Sequence, residues 1–271
     1  MYAYVVYDKK KKQLIISRDP QGEKSLYIYE NEKLIIISSE VNPIIQFTND
    51  NEINIDTLKS YFYSRHFLQF NKTIFKRIKI LEPGTLTTLD LTNFKFKISG
   101  RNLIHNYIDE KQFNRNLKRE ESDLVEELDF LLKKNLKEMI PEKRSFASVV
   151  SGGIDSGLIS NYICQISKPK KIISLNHVGK DKLANKIKYF EKYINKKISQ
   201  YKIDMKYYKK NLIKCINICN SPIHTHSFVG LLIISDKINK IGCKGVFGGE
   251  GADELFGGYE TYRQNIKNPN I

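Results

Sequence analysis

A short apolar segment, a glycine-containing turn and an amphipathic segment follow one another in the middle of this sequence. Residues 146–150 are mainly apolar, residues 151–156 read Ser-Gly-Gly-Ile-Asp-Ser, and apolar residues then recur at helical spacing from Leu158 to Ile166. This order predicts a strand, a tight turn and a helix. A helix that starts directly after a strand directs its free N–H groups toward the carboxyl end of that strand. We therefore expect an α/β fold with an anion-binding turn at one edge of its sheet.

The rest of the chain after residue 121 alternates between helix-like and strand-like segments. Leucines recur at helical spacing from Leu124 to Leu136, and Pro141 ends that run. Further strands are predicted at 171–175, 198–203 and 244–247, and further helices at 183–194, 205–219 and 228–238. Such alternation favours a doubly wound parallel sheet with helices on its faces.

The first hundred residues have β character instead. Three hairpins are predicted, which pair residues 2–7 with 14–17, 25–29 with 33–38, and 85–89 with 94–98. Asp56 is expected to cap one short helix. Residues 99–121 are polar and basic without a clean period. We therefore expect a β-rich domain over 1–98, a linker over 99–121 and an α/β domain over 122–271.

The composition argues against several classes of protein. No apolar run of this 271-residue chain approaches the length of a membrane span, and no export signal is visible. The formal charge of +15 suggests an anionic partner, but the lysines are scattered and the only dense run, Lys9–Lys12, is expected at a hairpin tip. Nucleic acid is therefore not the expected partner. The four cysteines form no CxxC pair, which fits a reducing cytoplasm.

The turn at residues 151–156 has the residue types that a phosphate-binding loop needs. Gly152 and Gly153 let the backbone approach a phosphate closely because neither carries a Cβ. Ser151 and Ser156 add hydroxyl donors. Asp155 would repel a bare phosphate, so it implies a bridging cation, most simply Mg²⁺. A glycine turn without a ligand is the alternative, and the spacing matches neither the Walker A nor the GxGxxG pattern.

A second glycine-containing loop follows the strand predicted at 244–247. Residues 248–254 read Gly-Gly-Glu-Gly-Ala-Asp-Glu. Ligands of open α/β sheets gather at the carboxyl ends of the strands, so this loop should face the first turn. Asp253 is predicted as a second magnesium contact, and Glu250 as the group that orients or deprotonates an incoming amine. Glu254 would charge the start of a helix. A solvated acidic turn is the alternative.

Two histidines, His224 and His226, precede the helix predicted at 228–238. Alternate positions of this kind could ligate a metal, but no third ligand lies at a useful spacing. A loop of the acceptor pocket, or plain surface, is the favoured interpretation.

These motifs resemble those of the asparagine synthetase family, and the resemblance covers nearly the whole chain. Residues 151–156 resemble the family's SGGxDS pyrophosphate loop, and residues 249–259, GEGADELFGGY, resemble its second signature. Residues 18–27 are similar to the RDxxGxxPLY segment of the family's glutaminase domain, with Ser25 in place of the usual proline.

The resemblance implies a two-part fold and a reaction. The fold would be a partial N-terminal glutaminase domain of the Ntn type, followed by a C-terminal PP-loop ATP pyrophosphatase domain. In the reaction, ATP adenylates the side-chain carboxylate of aspartate, pyrophosphate leaves, and ammonia made from glutamine displaces AMP. Relatives that amidate or cyclise other carboxylates, including sugar acids and β-lactam precursors, leave the acceptor open.

The resemblance also implies a set of site residues. Glu250 would be the catalytic acid-base residue, and Asp155 and Asp253 would bind Mg²⁺. A residue near Val178 would contact adenine. The residues that would contact ATP or pyrophosphate are Val149, Ser151, Gly152, Gly153, Asp155, Ser156, Val178, Gly248 and Gly249.

Departures from the family pattern affect the expected activity. The family's glutaminase nucleophile is an N-terminal cysteine, whereas position 2 is Tyr2 and the first cysteine is Cys164. The first half of the glutaminase domain and a downstream synthetase lysine have no counterpart. We therefore expect a fragment, a split gene product or a degenerate member that is incomplete alone. Its partner would be a second copy or a complementing glutaminase segment that covers exposed sheet edges.

Two other classes of function stay open. A tRNA-modifying enzyme could share the phosphate loop and would suit the basic charge, although the acidic loop argues against it. A non-catalytic nucleotide-binding or scaffold protein would suit the missing segments.

Overall fold

The computed structural model describes residues 1–65, 71–102, 107, 109–177, 181–223, 225, 227–260 and 262. The chain divides into two compact units. The N-terminal unit comprises Met1–Arg119 with Ile216–His224, and the C-terminal unit comprises Glu120–Cys215 with Thr225–Ile271.

The N-terminal unit is built on two antiparallel sheets. Its elements are β1 (Ala3–Asp8), β2 (Gln13–Arg18), β3 (Tyr27–Glu30), β4 (Ile35–Ser38), α1 (Val41–Thr48), α2 (Ile55–Ser64), β5 (Ile78–Ile80), β6 (Thr85–Asp90), β7 (Lys95–Arg101) and α3 (Glu110–Asn116). One sheet has the order β1-β2-β6-β7 and the other the order β4-β3-β5. The three predicted hairpins are confirmed as the antiparallel pairs β1–β2, β3–β4 and β6–β7.

The core of this unit joins residues from both sheets. Ile16 on β2 and Leu89 on β6 are buried together with Ile28 on β3. At the outer edge of the first sheet, β1 pairs only with β2 among the described residues, and Val5 and Val6 are exposed. The expected open sheet edge is therefore present in the structure.

A buried Arg–Asp pair ties the turn after β2 to the rest of the unit. Arg18 is only 7% exposed, and its guanidinium donates to the carbonyls of Lys24 and Leu81, each at 2.7 Å, and to that of Gly22. Burial lowers the pKa of Arg18. Burial would raise the pKa of Asp19, but three backbone N–H donors in the same network bring it below the ordinary value. Both charges are thus satisfied by backbone groups.

Helix starts in the N-terminal unit differ from the sequence prediction. The side chain of Asn54 caps α2 by accepting the N–H of Thr57, whereas Asp56 lies inside the first turn. The prediction that Asp56 caps this helix was wrong, because the backbone becomes helical one residue before Asp56. Helix α1 was not predicted. It is short, and Pro43 lies in its first turn, where a missing N–H costs no helical hydrogen bond.

The C-terminal unit is a parallel sheet flanked by helices. Its elements are α4 (Glu121–Met139), β8 (Phe146–Val149), α5 (Ile154–Ile166), β9 (Lys171–His177), α6 (Asp181–Ile194), β10 (Ile198–Ile203), α7 (Met205–Cys219, which ends in the other unit), α8 (Ser227–Lys240), β11 (Gly245–Phe247) and α9 (Ala252–Phe256). The strand order is β10-β9-β8-β11, and every neighbouring pair is parallel.

Helices cover both faces of this sheet, as the alternation of the sequence predicted. Ile172 on β9 packs with Ile187 of α6, whereas the next residue, Ile173, packs with Ile238 of α8. Successive side chains of a strand point to opposite faces. The predicted doubly wound α/β fold is confirmed.

The order of the strands places two loops side by side. From β8 the chain goes to β9 on one side, while β11 lies on the other side of β8. The loops that leave β8 and β11 therefore start from neighbouring strands at the carboxyl edge, which is where open α/β sheets bind ligands. Among the described residues, no helix is both long enough and apolar enough to cross a membrane.

A polar contact joins α4 to α5 at the outside of the C-terminal unit. Asp129 on α4 accepts a hydrogen bond from the Tyr162 hydroxyl on α5 and pairs with Lys133 at 2.7 Å. Lys133 Nζ also lies 5.2 Å from the centre of the Tyr162 ring. The hydrogen bonds from Lys133 and then from Tyr162 lower the pKa of Asp129, and the bond to Asp129 raises the pKa of Tyr162 to about 12.

Replacing Asp129 with Asn should lower the Tm at neutral pH. In acid, the difference in Tm between the variant and wild type should become small. Because its folded-state pKa is depressed, the carboxylate stabilises the fold above its unfolded-chain pKa of about 3.9, and this contribution is lost as the pH falls through the folded-state value. Thermal unfolding followed by circular dichroism should therefore show a difference between wild type and Asp129→Asn that shrinks from about pH 7 to about pH 3. Glu126→Gln removes a carboxylate from the same helix and serves as the control. A difference for Asp129→Asn that stays constant across this range would contradict the assignment.

Candidate functional site

The turn after β8 is held in place by its own serines. Ser156 Oγ accepts the N–H of Ser151 at 3.0 Å and lies 2.9 Å from Ser151 Oγ, and Ser151 Oγ accepts the N–H of Gly153 at 3.3 Å. Gly152 has a φ of +84°, a conformation that favours glycine. Ser156 is buried, so its hydroxyl fixes the shape of the turn.

The start of α5 offers backbone donors to a ligand. Gly153 is the N-cap, and no side chain caps the helix there. The first N–H groups of a helix have no partner inside the helix and attract anions. Asp155 lies in this first turn and is half-buried. The structure thus places the predicted phosphate turn at the carboxyl end of β8, as expected from the sequence.

The loop after β11 contacts this turn directly. Gly249 approaches the start of α5 so closely that a Cβ at this position would lie 2.6 Å from Ser156 N and 3.0 Å from both the carbonyl carbon and the Cβ of Asp155. Two of these three atoms belong to the backbone and cannot move aside cheaply. Only glycine fits here, and the two predicted loops meet at this contact.

The acidic residues of the second loop lie just beyond Gly249. Glu250 is exposed, and its carboxylate folds back over Gly248, where it occupies the space of a Cβ. Asp253 lies in the first turn of α9, and its Oδ1 lies against Gly258. The structure brings Gly249 to Asp155 and Ser156. The predicted roles of Glu250 and Asp253 stay predictions.

One contact of this loop was missed by the sequence analysis. The Tyr259 hydroxyl donates to Glu254 at 2.6 Å. This hydrogen bond lowers the pKa of Glu254 and raises that of Tyr259 to about 12. Gly257, with a φ of +66°, ends α9 between the two residues. The paired glycines before Tyr259 were the signal that the chain turns back here.

The structure describes only one of the remaining predicted residues of this region. Val149 is half-buried and packs on the cluster that contains Ala147 and Ile173. Val178, His224 and His226 lie outside the described residues.

The donor set of the two loops suits a magnesium ion that is shared with a ligand. Within the part of the chain that the structure describes, no group of three or more His, Cys, Asp or Glu side chains could hold a metal. Mg²⁺ is commonly held by one or two carboxylates and completed by water and substrate phosphates. Asp155, beside the uncapped N–H groups of α5, fits this pattern, and the role predicted for Asp253 stays a prediction.

Adding a methyl group at Gly249 should separate the two loops. Because the Cβ would meet backbone atoms of Asp155 and Ser156, Gly249→Ala should lower the free energy of unfolding by about 1–3 kcal/mol. Gly157→Ala is the matched control, since Gly157 lies in the same helix as Ser156 and its Cβ would make an ordinary 3.5 Å contact with Phe190 of α6. Chemical denaturation of the three proteins measures both effects. Equal stability of Gly249→Ala and wild type would show that the loops do not touch.

Comparison with known proteins finds a matching family model in each part of the chain. Residues 1–98 match the glutamine amidotransferase domain, and residues 127–270 match asparagine synthase.

Three relatives illustrate the similarity. "Putative asparagine synthetase (glutamine-hydrolyzing) 1" of Methanocaldococcus jannaschii is 27% identical over 270 residues, which are 97% of this chain and 45% of that protein. Asparagine synthetase (glutamine-hydrolyzing) 1 of Bacillus subtilis is 26% identical over 275 residues, 98% of this chain and 40% of that protein. Amidase chry2 of Gibberella zeae is 24% identical over 282 residues, which cover 97% of this chain and 40% of that protein.

This chain therefore spans less than half the length of these relatives. The asparagine synthase match nevertheless covers more than half of the chain itself. It follows that this protein belongs to the asparagine synthase family.

Proposed function

We propose that this chain carries the ATP-dependent half-reaction of an amidoligase. ATP would adenylate the side-chain carboxylate of aspartate, pyrophosphate would leave, and ammonia would then displace AMP to form an amide. The observation that supports this most strongly is the contact of Gly249 with Asp155 and Ser156, because it joins an anion-binding turn to an acidic loop.

The first turn would hold the pyrophosphate part of ATP. The uncapped N–H groups of α5 and the positive end of its dipole favour an anion at this point. The hydroxyl pair of Ser151 and Ser156 keeps the turn in one shape before a ligand arrives. Preorganised donors of this kind stabilise the charge that develops on a leaving group.

Asp155 and Asp253 would hold Mg²⁺, and ATP and Mg²⁺ are the proposed cofactors. When bound, the cation supplies positive charge to the phosphates that separate during adenylation. Asp155 has the better-defined position, since it lies on the helix that starts at the phosphate turn.

Glu250 would act on the nitrogen nucleophile. It is exposed and follows directly after Gly249, the residue that contacts the phosphate turn. A carboxylate at this point can accept a proton from the attacking amine as the amide forms.

The nitrogen source is proposed as ammonia that is derived from glutamine. The match of residues 1–98 to a glutamine amidotransferase domain supports this source. Free ammonia, or ammonia from a complementing glutaminase segment, would supply the reaction. The cytoplasm is the compartment proposed for it.

A different carboxylate is the second candidate acceptor. The similarity to a protein named Amidase chry2 at 24% identity supports this option. A panel of aspartate, sugar acids and β-lactam precursors, scored by pyrophosphate release, would separate the two. Aspartate as the best substrate is expected.

Asp155→Asn should abolish activation of the carboxylate. Loss of the cation contact removes charge stabilisation worth several kcal/mol, so ATP–pyrophosphate exchange with aspartate should fall by roughly 100-fold or more. Binding of pyrophosphate with Mg²⁺, measured by calorimetry, should weaken in parallel and needs no turnover. Asp236→Asn, which removes an exposed ion pair between Asp236 of α8 and Lys214 of α7, is the control and should retain both. Undiminished exchange by Asp155→Asn would refute the proposal.

Glu250→Gln should separate activation from amide formation. Because Glu250 is assigned to the amine and not to ATP, exchange should persist while ammonia-dependent amide formation falls by roughly 10²–10⁴-fold. The two rates are measured on the same preparation, with pyrophosphate exchange as one assay and amide product as the other. Parallel loss of both would assign Glu250 to the activation step instead.

A further inference from the structure

Basic residues that are scattered along the sequence gather at one edge of the parallel sheet. The segments that lead into β8, β9, β10 and β11 all lie at the amino edge, whereas the phosphate turn lies at the carboxyl edge. These four segments, residues 140–145, 167–171, 195–197 and 241–244, carry eight basic side chains, all exposed, and a single carboxylate, that of Glu142. We call this surface the basic edge.

Parallel pairing arranges part of the basic edge as a row across the sheet. Lys197 precedes the first paired residue of β10, so it lies beside Lys171 at the start of β9. The N–H of Lys244 donates to the carbonyl of Ser145 at 2.8 Å, so Lys244 lies beside Ser145 and its neighbour Arg144. Neighbouring strands are about 4.8 Å apart, so the row is about 15 Å long. The other basic residues of the edge, which flank this row, are Lys143, Lys168, Lys170 and Lys196.

The charge of the basic edge is not neutralised inside the C-terminal unit. Within the described part of the chain, no ion pair joins these basic side chains to a carboxylate. Helices α4, α5, α6 and α8 end at this edge, and their C-termini together contribute about two negative charges. The last turns of α4 and α6 each add one lysine and one glutamate, which balance each other. An excess of about five positive charges is left to attract an anion from outside the unit.

We propose that the basic edge binds a single strand of nucleic acid. Phosphates lie about 3.4 Å apart along the axis in one strand of a duplex, and further apart in an extended strand, so a row of about 15 Å can follow three or four of them. The sequence alone did not favour nucleic acid because its lysines are scattered along the chain. The order of the strands brings them together in space.

An exposed tyrosine near one end of the row offers a surface for a base. Tyr193 lies in the last turn of α6, between Lys192 and Lys196, and is 66% exposed. Its ring is stacked on that of Phe190, with the ring centres 6.2 Å apart and the planes inclined by 25°. Unpaired bases stack on aromatic side chains of this kind. Because the bases of a duplex are already stacked on each other, this tyrosine favours a single strand.

An anionic membrane fits the basic edge less well. None of the large hydrophobic side chains in the four segments is exposed. A protein that lies on a membrane usually adds apolar side chains, which enter the boundary between headgroups and acyl chains, to its electrostatic attraction. The basic edge supplies charge without this apolar part.

Fluorescence anisotropy with labelled oligouridine and oligothymidine of about 20 nucleotides tests the proposal on the full chain without ATP. At about 50 mM salt, both should bind with a dissociation constant of about 10 µM or lower, since RNA and DNA offer the same phosphates and base faces. Raising the salt to about 200 mM should weaken binding by about 50-fold if four phosphates are neutralised. Absence of saturable binding at low salt would overturn the proposal. So would binding of phosphatidylserine vesicles without binding of either oligonucleotide.

A double variant tests whether binding uses this edge or only the net charge. Lys171→Gln combined with Lys197→Gln should weaken binding at about 50 mM salt by about ten-fold or more and lower the salt slope by about 1.4. Lys209→Gln combined with Lys210→Gln removes the same charge from exposed positions on α7 and should bind like wild type. Equal weakening by the two double variants, with native helix content by circular dichroism, would overturn the proposal. ATP–pyrophosphate exchange should persist in both, because the proposed ATP site lies at the other edge.

Tyr193→Leu tests the preference for a single strand. Loss of one stacked base should weaken binding by about five-fold or more and leave the salt slope unchanged, since no charge is removed. Tyr189→Leu is the matched control, because Tyr189 is 75% exposed on the same helix, one turn further from the row. It should bind like wild type. Unchanged affinity of Tyr193→Leu would overturn the assignment to a single strand.

Discussion

The approach of Gly249 to the first turn of α5 is the contact on which the rest of the site depends. The two loops leave neighbouring parallel strands, β8 and β11, so the sheet alone brings them within reach of each other. What brings them into contact is the absence of a side chain at Gly249, because a Cβ there would overlap backbone atoms of Ser156 and Asp155. An anion-binding helix start and an acidic loop can share one ligand only if this distance stays short.

Buried hydroxyl groups hold the strands and the turn beneath this contact. Ser148 on β8 and Ser160 on α5 are fully buried and lie 2.7 Å apart, and Ser148 also reaches the carbonyl of Phe247 on β11. The hydroxyl groups of Ser151 and Ser156 make a similar hydrogen bond closer to the carboxyl edge of the sheet. The N–H groups of Ser151 and Gly153 are themselves bound to serine oxygens, so the uncapped N–H groups in the first turn of α5 are the donors proposed for a phosphate. Glycines give the loops their close approach, and serines give them a fixed shape.

The sequence predicts the architecture well because the signal is periodic and long. Alternating strands and helices after residue 121, and three hairpins before residue 100, are all present. Helix caps and hydrogen bonds within loops were harder to predict from the sequence. Asn54 rather than Asp56 caps α2, since both residue types cap helices and only the backbone conformation decides between them. The hydrogen bond from Tyr259 to Glu254 depends on a reversal of the chain at Gly257. A single chain reversal leaves no periodic pattern in the sequence, so periodicity does not predict it. The order of the strands predicts that the two loops lie side by side. It does not predict how closely Gly249 approaches the backbone of Asp155 and Ser156.

The N-terminal unit shows that a family signature can have a structural role. Arg18 and Asp19 belong to the segment that resembles a glutaminase motif, yet in this structure Arg18 binds three carbonyls and Asp19 accepts three backbone N–H groups. These bonds order the turn after β2 whether or not glutamine is hydrolysed. The signature alone therefore does not indicate that this chain releases ammonia. The contact that the proposed chemistry requires lies instead within the C-terminal unit, where Gly249 joins the loop after β11 to the turn after β8.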